Sequence, residues 1–229
     1  MGIETMRRIS AAVMTCALLG ASAAAHALDK GDVLLRVRAI DVIPNDSSSE
    51  VTAAGGTAVP GSEVGVNSAA SVEADISYMF SSHIGLELIA ATTNHTVTDN
   101  GVVVNALGLS GNVIGVTGVL PPTLTLQYHF RPEAEIRPYV GAGINYTVFY
   151  KESSGINGIA LKIDNSAGAA AQVGLDWSID KRWFANLDLK YIDMSTTATL
   201  SNAATGAAAY TADVKINPWV LGLGIGTTF

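Results

Sequence analysis

Few residues of this 229-residue chain have the types and spacing that nucleophilic catalysis requires. Such catalysis needs a nucleophile and a base within hydrogen-bond reach of each other. Beyond residue 27, His83 and His129 stand beside predicted turns, and only His95 falls towards the opposite end of the predicted strands. Asp46 and Ser47 lie in a distant segment and would complete an acyl-transfer or deacylation site only if folding brought them to His95. We therefore expect that this protein is not an enzyme.

Metal, cofactor and nucleic-acid chemistry lack a sequence signature as well. The single cysteine, Cys16, excludes a disulfide framework and a cysteine-based zinc site. Gly222–Gly226 superficially resembles a dinucleotide fingerprint, but no helix can follow it before the chain ends. The formal net charge of −7 argues against nucleic-acid binding. We expect no metal, no cofactor and no nucleic-acid partner.

One set of charged residues recurs mostly at two-residue spacing, which in a strand places the side chains on one face. Both signs of charge are present, so we expect them to pair with one another inside the fold. The set comprises Arg36, Arg38, Glu73, Asp75, Glu87, Asp188 and Lys190.

The composition requires either a membrane or a large buried core. Hydrophobic residues make up 48% of the chain and charged residues only 14%, whereas a soluble domain carries about 25% charged residues. This composition excludes a disordered chain. The longest uncharged stretch after the amino terminus, 101–130, is long enough for a membrane helix. However, 101–120 holds five glycines and Pro121 and Pro122 follow, and each glycine costs a helix about 1 kcal/mol.

The amino-terminal segment has the pattern of a secretory signal peptide. Arg7 and Arg8 precede an uncharged run that ends in Ala25-His26-Ala27, a small-residue cleavage signal. We predict a signal peptide over 1–27 and one domain over 28–229. Cys16 would be removed with this segment.

Alternation of apolar and small or polar residues recurs along the predicted mature chain. In the last segment, Trp219, Leu221, Leu223 and Ile225 share one face, while glycines occupy much of the other. Eight segments show such alternation, and eight is the smallest strand number of bacterial outer-membrane barrels. The pattern predicts an all-β fold, an eight-stranded antiparallel transmembrane β-barrel of the bacterial outer membrane. A soluble β-sandwich or lipocalin-like barrel is the alternative. In such a fold the face that carries the glycines and charged residues would have to form the core, for which it is too small and too polar.

Short and long connections alternate between these strands, as do the periplasmic turns and extracellular loops of outer-membrane barrels. The predicted long loops cover about 43–68, 96–121, 151–166 and 200–212. An interior only as wide as its side chains disfavours an aqueous porin, so the charged set should plug the lower lumen.

Four motifs in order resemble the outer membrane protein W family (the OmpW/AlkL family). They are the segment 31–38 followed by Pro44, the segments 127–130 and 137–143, and the carboxyl-terminal segment from Asn217 to Phe229. The resemblance covers nearly the whole predicted mature chain. It implies a barrel in outer-membrane lipid that admits small hydrophobic solutes from outside and releases them sideways into the outer leaflet. A carboxyl-terminal aromatic such as Phe229 is also what outer-membrane barrels present to the barrel-assembly machinery.

Apolar residues in and near the predicted long loops support this expectation, because exposed loops are rarely so apolar. They would form a funnel for ligand at the outer end, although mutual packing of the loops is the simpler alternative. The candidates are Val104, Leu107, Leu109, Val113, Leu120, Phe149, Ile192, Met194 and Ile216.

The seam between the first and last strands offers a lateral opening. If Lys30 lies near Phe229, Pro44 lies near residue 215 and close to Pro218. Proline cannot donate to a strand ladder. Two prolines at one height would weaken the wall locally, unless each merely ends its strand.

A structural or surface-interaction barrel, such as an adhesin or a phage or colicin receptor, is the alternative function. Its loops should be polar, which fits 201–210 but not the apolar second loop. The sequence leaves the solute, the barrel shear and the oligomeric state open.

Overall fold

The computed structural model describes residues 27–106 and 110–229. The predicted signal peptide, apart from its last residue, lies outside the described residues, as do the funnel candidates Leu107 and Leu109. The described segments form strands, with one helix of five residues. Among these residues, no helix is long and apolar enough to cross a membrane.

The strands fall into two groups, eight in a closed barrel and nine in extensions above one rim. The barrel strands are β1 (Val33–Ile43), β6 (Ala69–Met79), β7 (Ile84–Ala91), β10 (Thr123–His129), β11 (Ile136–Ser154), β13 (Ser166–Ser178), β14 (Trp183–Ile192) and β17 (Trp219–Thr228). The others are β2 (Ser47–Ser48), β3 (Thr52–Ala53), β4 (Thr57–Ala58), β5 (Val64–Val66), β8 (Thr93–Asp99), β9 (Val113–Leu120), β12 (Ile159–Ile163), β15 (Ser195–Asn202) and β16 (Ala208–Lys215); helix α1 is Val102–Ala106.

The barrel strands pair antiparallel in chain order, and β1 pairs with β17 to close the ring. The register of this seam runs from Leu34↔Thr228 to Ile43↔Trp219. A closed ring satisfies the backbone groups within the wall, which lipid cannot do. The predicted eight-stranded antiparallel barrel is confirmed.

Side-chain direction follows the predicted alternation. In β1, Leu35 and Val37 are exposed on the outer surface, whereas Arg36 and Arg38 are buried in the lumen. An outward apolar band with a polar interior is the pattern of a barrel in lipid.

Lumen glycines make room for large side chains on neighbouring strands. A Cβ atom at Gly226 would collide with the ring of Phe184, and one at Gly174 would collide with Tyr139. Small residues on one strand thus let the lumen accept bulky and charged groups from the next.

The segments predicted as long loops contain strands, which corrects that part of the sequence analysis. β8 and β9 continue the β7–β10 pairing upwards, since Ile89 pairs with Thr123 and Thr93 with Val119. β12, β15, β16, β3 and β4 form a further sheet, and β2 joins it through β16. Strand pairing satisfies the backbone hydrogen-bonding groups in these segments. Many of their apolar side chains face inwards and pack together in one shared core.

The opposite rim carries the short turns and both described chain ends. Leu28, Leu34, Met79 and Phe184 form a buried apolar cluster there. Because short turns face the periplasm in outer-membrane barrels, this cluster closes the periplasmic end and the strand extensions face outwards.

Candidate functional site

A buried ionic network fills the lower lumen. Arg36 donates from Nε and Nη2 to the two carboxylate oxygens of Asp176 at 3.2 and 3.0 Å. Its Nη1 donates to Glu87 at 3.1 Å and to the Ser77 hydroxyl at 2.7 Å. A two-point pair of this kind fixes the orientation of the guanidinium as well as its charge.

Arg38 extends the network upwards. Its Nη1 donates to Glu73 at 2.7 Å and to Asp75 at 3.3 Å, and its Nη2 donates to Glu87 at 3.1 Å. Lys190 Nζ then lies 2.9 Å from the second oxygen of Glu73. The seven charged residues predicted to plug the lumen are therefore all buried in it, with Asp188 Oδ1 3.8 Å from Arg38.

Strand register explains why these charges meet. β1 pairs with β6 so that Arg36 lies opposite Asp75, and Arg38 lies opposite Glu73. On the other side of β1, Gly226 and Gly224 lie opposite the two arginines and leave space for them. Burial of a charge is costly unless it is paired and hydrogen-bonded, and this arrangement meets both conditions.

Several members of the network were not among the residues predicted from the sequence to plug the lumen. Asp176 binds Arg36, Gln172 donates to Glu87 at 2.7 Å, and Tyr139 donates to Asp188 at 2.8 Å. Each of these side chains shares the lumen face with the glycines of its strand, so the same two-residue alternation that marked Arg36 was the signal that could have found them.

An apolar cavity, partly open at one end, lies above the network. Its wall combines barrel strands with their outward extensions. Phe149, Ile192, Met194 and Ile216 line it, as the sequence analysis expected. Lining residues that were not among the candidates include Ile40, Val42, Val97, Val119, Val214 and Val220.

The remaining funnel candidates have other positions. Val104 is buried in the outer apolar core but does not line this cavity. Val113 and Leu120 are 48% and 38% exposed on the outer surface, so their assignment to the funnel was wrong. Their neighbours Ile114 and Val119 point inwards instead, because alternate residues of a strand face opposite sides.

A second apolar cavity lies further from the membrane. It is lined by Val51, Val103 and Leu200, among others, and shares Val64, Val97 and Ala198 with the first cavity. The shared side chains lie between the two spaces, and one apolar core cluster includes lining residues of both.

Pro44 and Pro218 both line the apolar cavity, and the seam register places them opposite each other, one position beyond Ile43↔Trp219. The reciprocal hydrogen bonds between Val33 and Phe229 show that odd-numbered residues of β1 face β17. The missing donors of both prolines therefore point away from the seam.

The seam itself continues past the prolines, because the Asn45 amide donates to the Ile216 carbonyl at 3.0 Å. This corrects the hypothesis that Pro44 and Pro218 weaken the ladder between β1 and β17.

Pro121 and Pro122 interrupt the wall at another place. The register that links Ile89↔Thr123 with Thr93↔Val119 sets Pro121 opposite Ala91, in the position where an amide would face that strand. Pro122 accepts from the Tyr146 amide at 3.0 Å but has no amide to return the bond. One strand thus lacks a ladder donor to each of its two neighbours at the same height.

The same proline pair lies between an inner and an outer space. Pro121 lines the apolar cavity, whereas Pro122 lines a groove on the lipid-facing surface, beside Leu124 and Ile144. Thr123 borders both spaces. The wall between cavity and lipid therefore lacks two backbone donors here, while the Asn145 side chain donates to the carbonyls of Pro121 and Pro122 at 3.2 and 3.3 Å.

His95 lies in β8, in the extension above the barrel, and lines the cavity. Its Nδ1 is 2.8 Å from the Asn67 carbonyl and its Nε2 is 2.8 Å from the Thr93 hydroxyl. Burial lowers the pKa of His95, against a smaller opposing effect of the Asn67 carbonyl. Asp46 instead accepts from the Val66 amide. Among the described residues, no group of three or more His, Cys, Asp or Glu is placed to hold a metal ion.

The closed ring, the outward apolar band and the polar lumen define an integral β-barrel of the bacterial outer membrane, embedded in its lipid. Within that class the chain belongs to the OmpW family, which it matches over residues 29–229. The family resemblance noted in the sequence and the outer-membrane location are confirmed.

Individual relatives agree with this assignment. Outer membrane protein W of Vibrio cholerae serotype O1 is 40% identical over 215 residues, which cover 91% of this chain and 93% of that protein. Outer membrane protein AlkL of Ectopseudomonas oleovorans is 26% identical over 175 residues, 76% of this chain and 73% of that protein. The crystal structure of OprG from Pseudomonas aeruginosa has a TM-score of 0.81 at 31% identity, with 90% of this chain and 99% of that chain covered.

Proposed function

We propose that this barrel takes up small hydrophobic molecules from the outer surface and delivers them sideways into the outer membrane. The observation that carries the proposal is the apolar cavity above a closed ionic network. Small-molecule sites are typically concave and lined mainly by apolar side chains, with a few polar groups that fix orientation. A solute of that kind would leave water at the outer sheets and descend along apolar surface.

The ionic network argues for a lateral exit rather than a continuous pore. Arg36, Arg38, Glu87 and Asp176 are buried across the lumen and hydrogen-bonded to one another. An apolar solute that passed them would break charge-assisted hydrogen bonds and offer no new partner to the buried charges, which is strongly unfavourable.

The proposed exit is the wall at Pro121 and Pro122. Lateral passage requires two strands to separate, and separation costs least where ladder hydrogen bonds are already missing. The apolar cavity inside and the groove outside supply apolar surface on both sides of this point. This position replaces the seam at Pro44 and Pro218, whose ladder continues.

Uptake by cells tests the proposal. Cells with and without the protein would be given alkanes, terpenes and fatty acids of increasing size, with sugars as the polar control. We expect faster initial uptake of hydrophobic solutes that fit the cavity and no change for sugars. Equal rates for all hydrophobic solutes with and without the protein would reject uptake and favour a structural or surface-interaction barrel.

We also propose that the barrel has no catalytic activity. Both ring nitrogens of His95 are occupied by wall groups, and no serine or carboxylate is bonded to the ring among the described residues. Activity on membrane lipid is the enzymatic alternative, and His95→Ala should leave lipid A composition unchanged in cells. A change in that composition would overturn this part of the proposal.

We also propose that the barrel-assembly machinery recognises the terminal aromatic residue, Phe229. Phe229 is 68% exposed at the periplasmic rim, and its amide donates to the Val33 carbonyl at 2.9 Å. The ring is thus held at the rim but remains accessible. Phe229→Ala should lower the folded yield in cells without lowering refolding of the purified chain in lipid.

A further inference from the structure

The floor of the apolar cavity carries one ion pair, between Lys190 and Glu73. Both side chains line the cavity and are almost fully buried. Glu73 uses both carboxylate oxygens, one with Arg38 at 2.7 Å and the other with Lys190 at 2.9 Å. It therefore has its strong acceptor positions filled from below and from the side.

Lys190 keeps hydrogen-bonding capacity that Glu73 does not. An ammonium has three N–H donors, and one of them goes to Glu73. Asp188 Oδ1 lies 4.0 Å from Nζ, beyond hydrogen-bond distance. Two donors of Lys190 thus have no hydrogen-bond partner among the described residues.

The other polar side chains of the cavity are committed to the wall. Thr93 and His95 bond to each other, while Thr117, Thr123 and Thr196 donate to backbone carbonyls. A solute in the cavity would find its available hydrogen-bond donor at the floor, with apolar walls above it.

The charges around Lys190 determine which oxygen group suits this donor. Five buried acidic side chains face four buried basic side chains in the described lower lumen, so acidic groups outnumber basic ones by one. An additional carboxylate would meet repulsion there, whereas a neutral oxygen would not. The carboxylates are Glu73, Asp75, Glu87, Asp176 and Asp188, and the cations are Arg36, Arg38, Arg137 and Lys190.

We propose that the site prefers neutral amphiphiles with one oxygen-bearing end, such as a medium-chain alcohol, aldehyde or ester, over the alkane and over the fatty-acid anion of the same length. The oxygen accepts a hydrogen bond from Lys190 Nζ at the cavity floor, and the chain lies along the apolar wall. This substrate preference rests on the uptake function proposed above.

The test compares octane, 1-octanol and ionised octanoate. Initial uptake by cells that carry the full chain is measured for each, with uptake by cells without the protein subtracted. We expect 1-octanol to be taken up about tenfold better than octane at limiting concentration, the effect of one hydrogen bond to a charged donor. Octanoate should fall below 1-octanol.

Three variants assign the preference to Lys190. Lys190→Met should bring the ratio of 1-octanol to octane down to about one, and Glu73→Gln with Lys190→Met should do the same while it preserves the net charge. The matched control is Lys162→Met, which removes a lysine that is 75% exposed outside the cavity and paired with Asp164. It should keep the wild-type ratio.

A second measurement does not depend on transport. In the purified barrel in lipid nanodiscs, the side-chain ¹⁵N resonance of Lys190 should shift when 1-octanol is added and should not shift with octane. Folding of each variant is checked by the change in gel mobility on heating.

The outcomes separate this inference from the proposed function. Absence of protein-dependent uptake for all three compounds would reject the uptake function, while the resonance would still report binding of the alcohol. Equal uptake of 1-octanol and octane by the wild-type protein, or an unchanged ratio in Lys190→Met, would overturn the head-group site alone. Recovery of the preference in the double variant would show that net charge, not the donor, controls selectivity.

Discussion

Arg36 binds Asp176 through two parallel hydrogen bonds, at 3.2 and 3.0 Å, although their strands β1 and β13 are not neighbours in the wall. The pair crosses the lumen and joins strands that are three positions apart in the ring of eight. It therefore does two things, since it stabilises the closed barrel and blocks the lower lumen.

Removal of one partner of this pair should strongly destabilise the barrel. Asp176→Ala would leave the Arg36 guanidinium buried without its main carboxylate, and a broken buried pair costs about 3–5 kcal/mol. Reversible urea unfolding in lipid vesicles would measure the loss. Asp164→Ala, at an exposed surface pair, should change the free energy of unfolding by less than about 1 kcal/mol. Equal effects of the two substitutions would contradict the role of the pair.

Restored ladder donors at the proposed exit should slow uptake. Pro121→Val with Pro122→Val returns an amide towards each neighbouring strand, so separation of the wall becomes more costly. Uptake of a hydrophobic solute should fall several-fold.

Two control variants locate this effect. Pro44→Val with Pro218→Val should slow uptake less, because the seam ladder continues past these prolines. Pro60→Ala, in an exposed turn of the extension, should have no effect. A larger effect at Pro44 and Pro218 than at Pro121 and Pro122 would return the exit to the seam.

Substitution of Gly226 should prevent normal assembly. A side chain there would collide with the Phe184 ring and with the Leu35 carbonyl of the adjacent strand. Gly226→Val should therefore sharply reduce the folded fraction seen by gel mobility. Gly155→Ala is the matched control, because its added methyl group meets nothing closer than ordinary van der Waals contact. Normal folding of Gly226→Val would show that the lumen is less tightly packed than described.

His95 should make stability depend on pH. Burial holds the pKa of folded His95 below its ordinary value, so the unfolded chain binds the proton more readily. The contribution of His95 is present above the unfolded value of about 6.5 and is lost as the pH falls below it. The difference in unfolding free energy between wild type and His95→Gln should shrink as the pH falls. A difference that is constant from pH 8 to pH 5 would contradict this.

The sequence predicted the barrel well because alternation at two-residue spacing records which face of a strand meets lipid. Arg36 and Glu73 could be placed in the lumen on that basis alone. Alternation alone could not show which side chains of the strand extensions face inwards. A one-residue slip in register moves every side chain of a strand to the other face. Leu120 was included in the predicted funnel because 96–121 was predicted to be a loop, whereas Val119 is the residue that lines the cavity. The prediction of a weakened seam ladder at Pro44 and Pro218 was also wrong, because the direction of a missing proline donor depends on a register that only the fold provides.

A reversible block of the apolar path tests the central claim most directly. Ala198 lines both cavities, and the predicted mature chain has no cysteine of its own, since Cys16 lies in the predicted signal peptide. Ala198→Cys would be labelled with benzyl methanethiosulfonate, and Ala160→Cys, on the exposed face of β12, would be the labelled control. We predict that labelling slows uptake of hydrophobic solutes only at position 198 and that a reducing agent restores it. Unchanged uptake by fully labelled Ala198→Cys would contradict a path through the cavity.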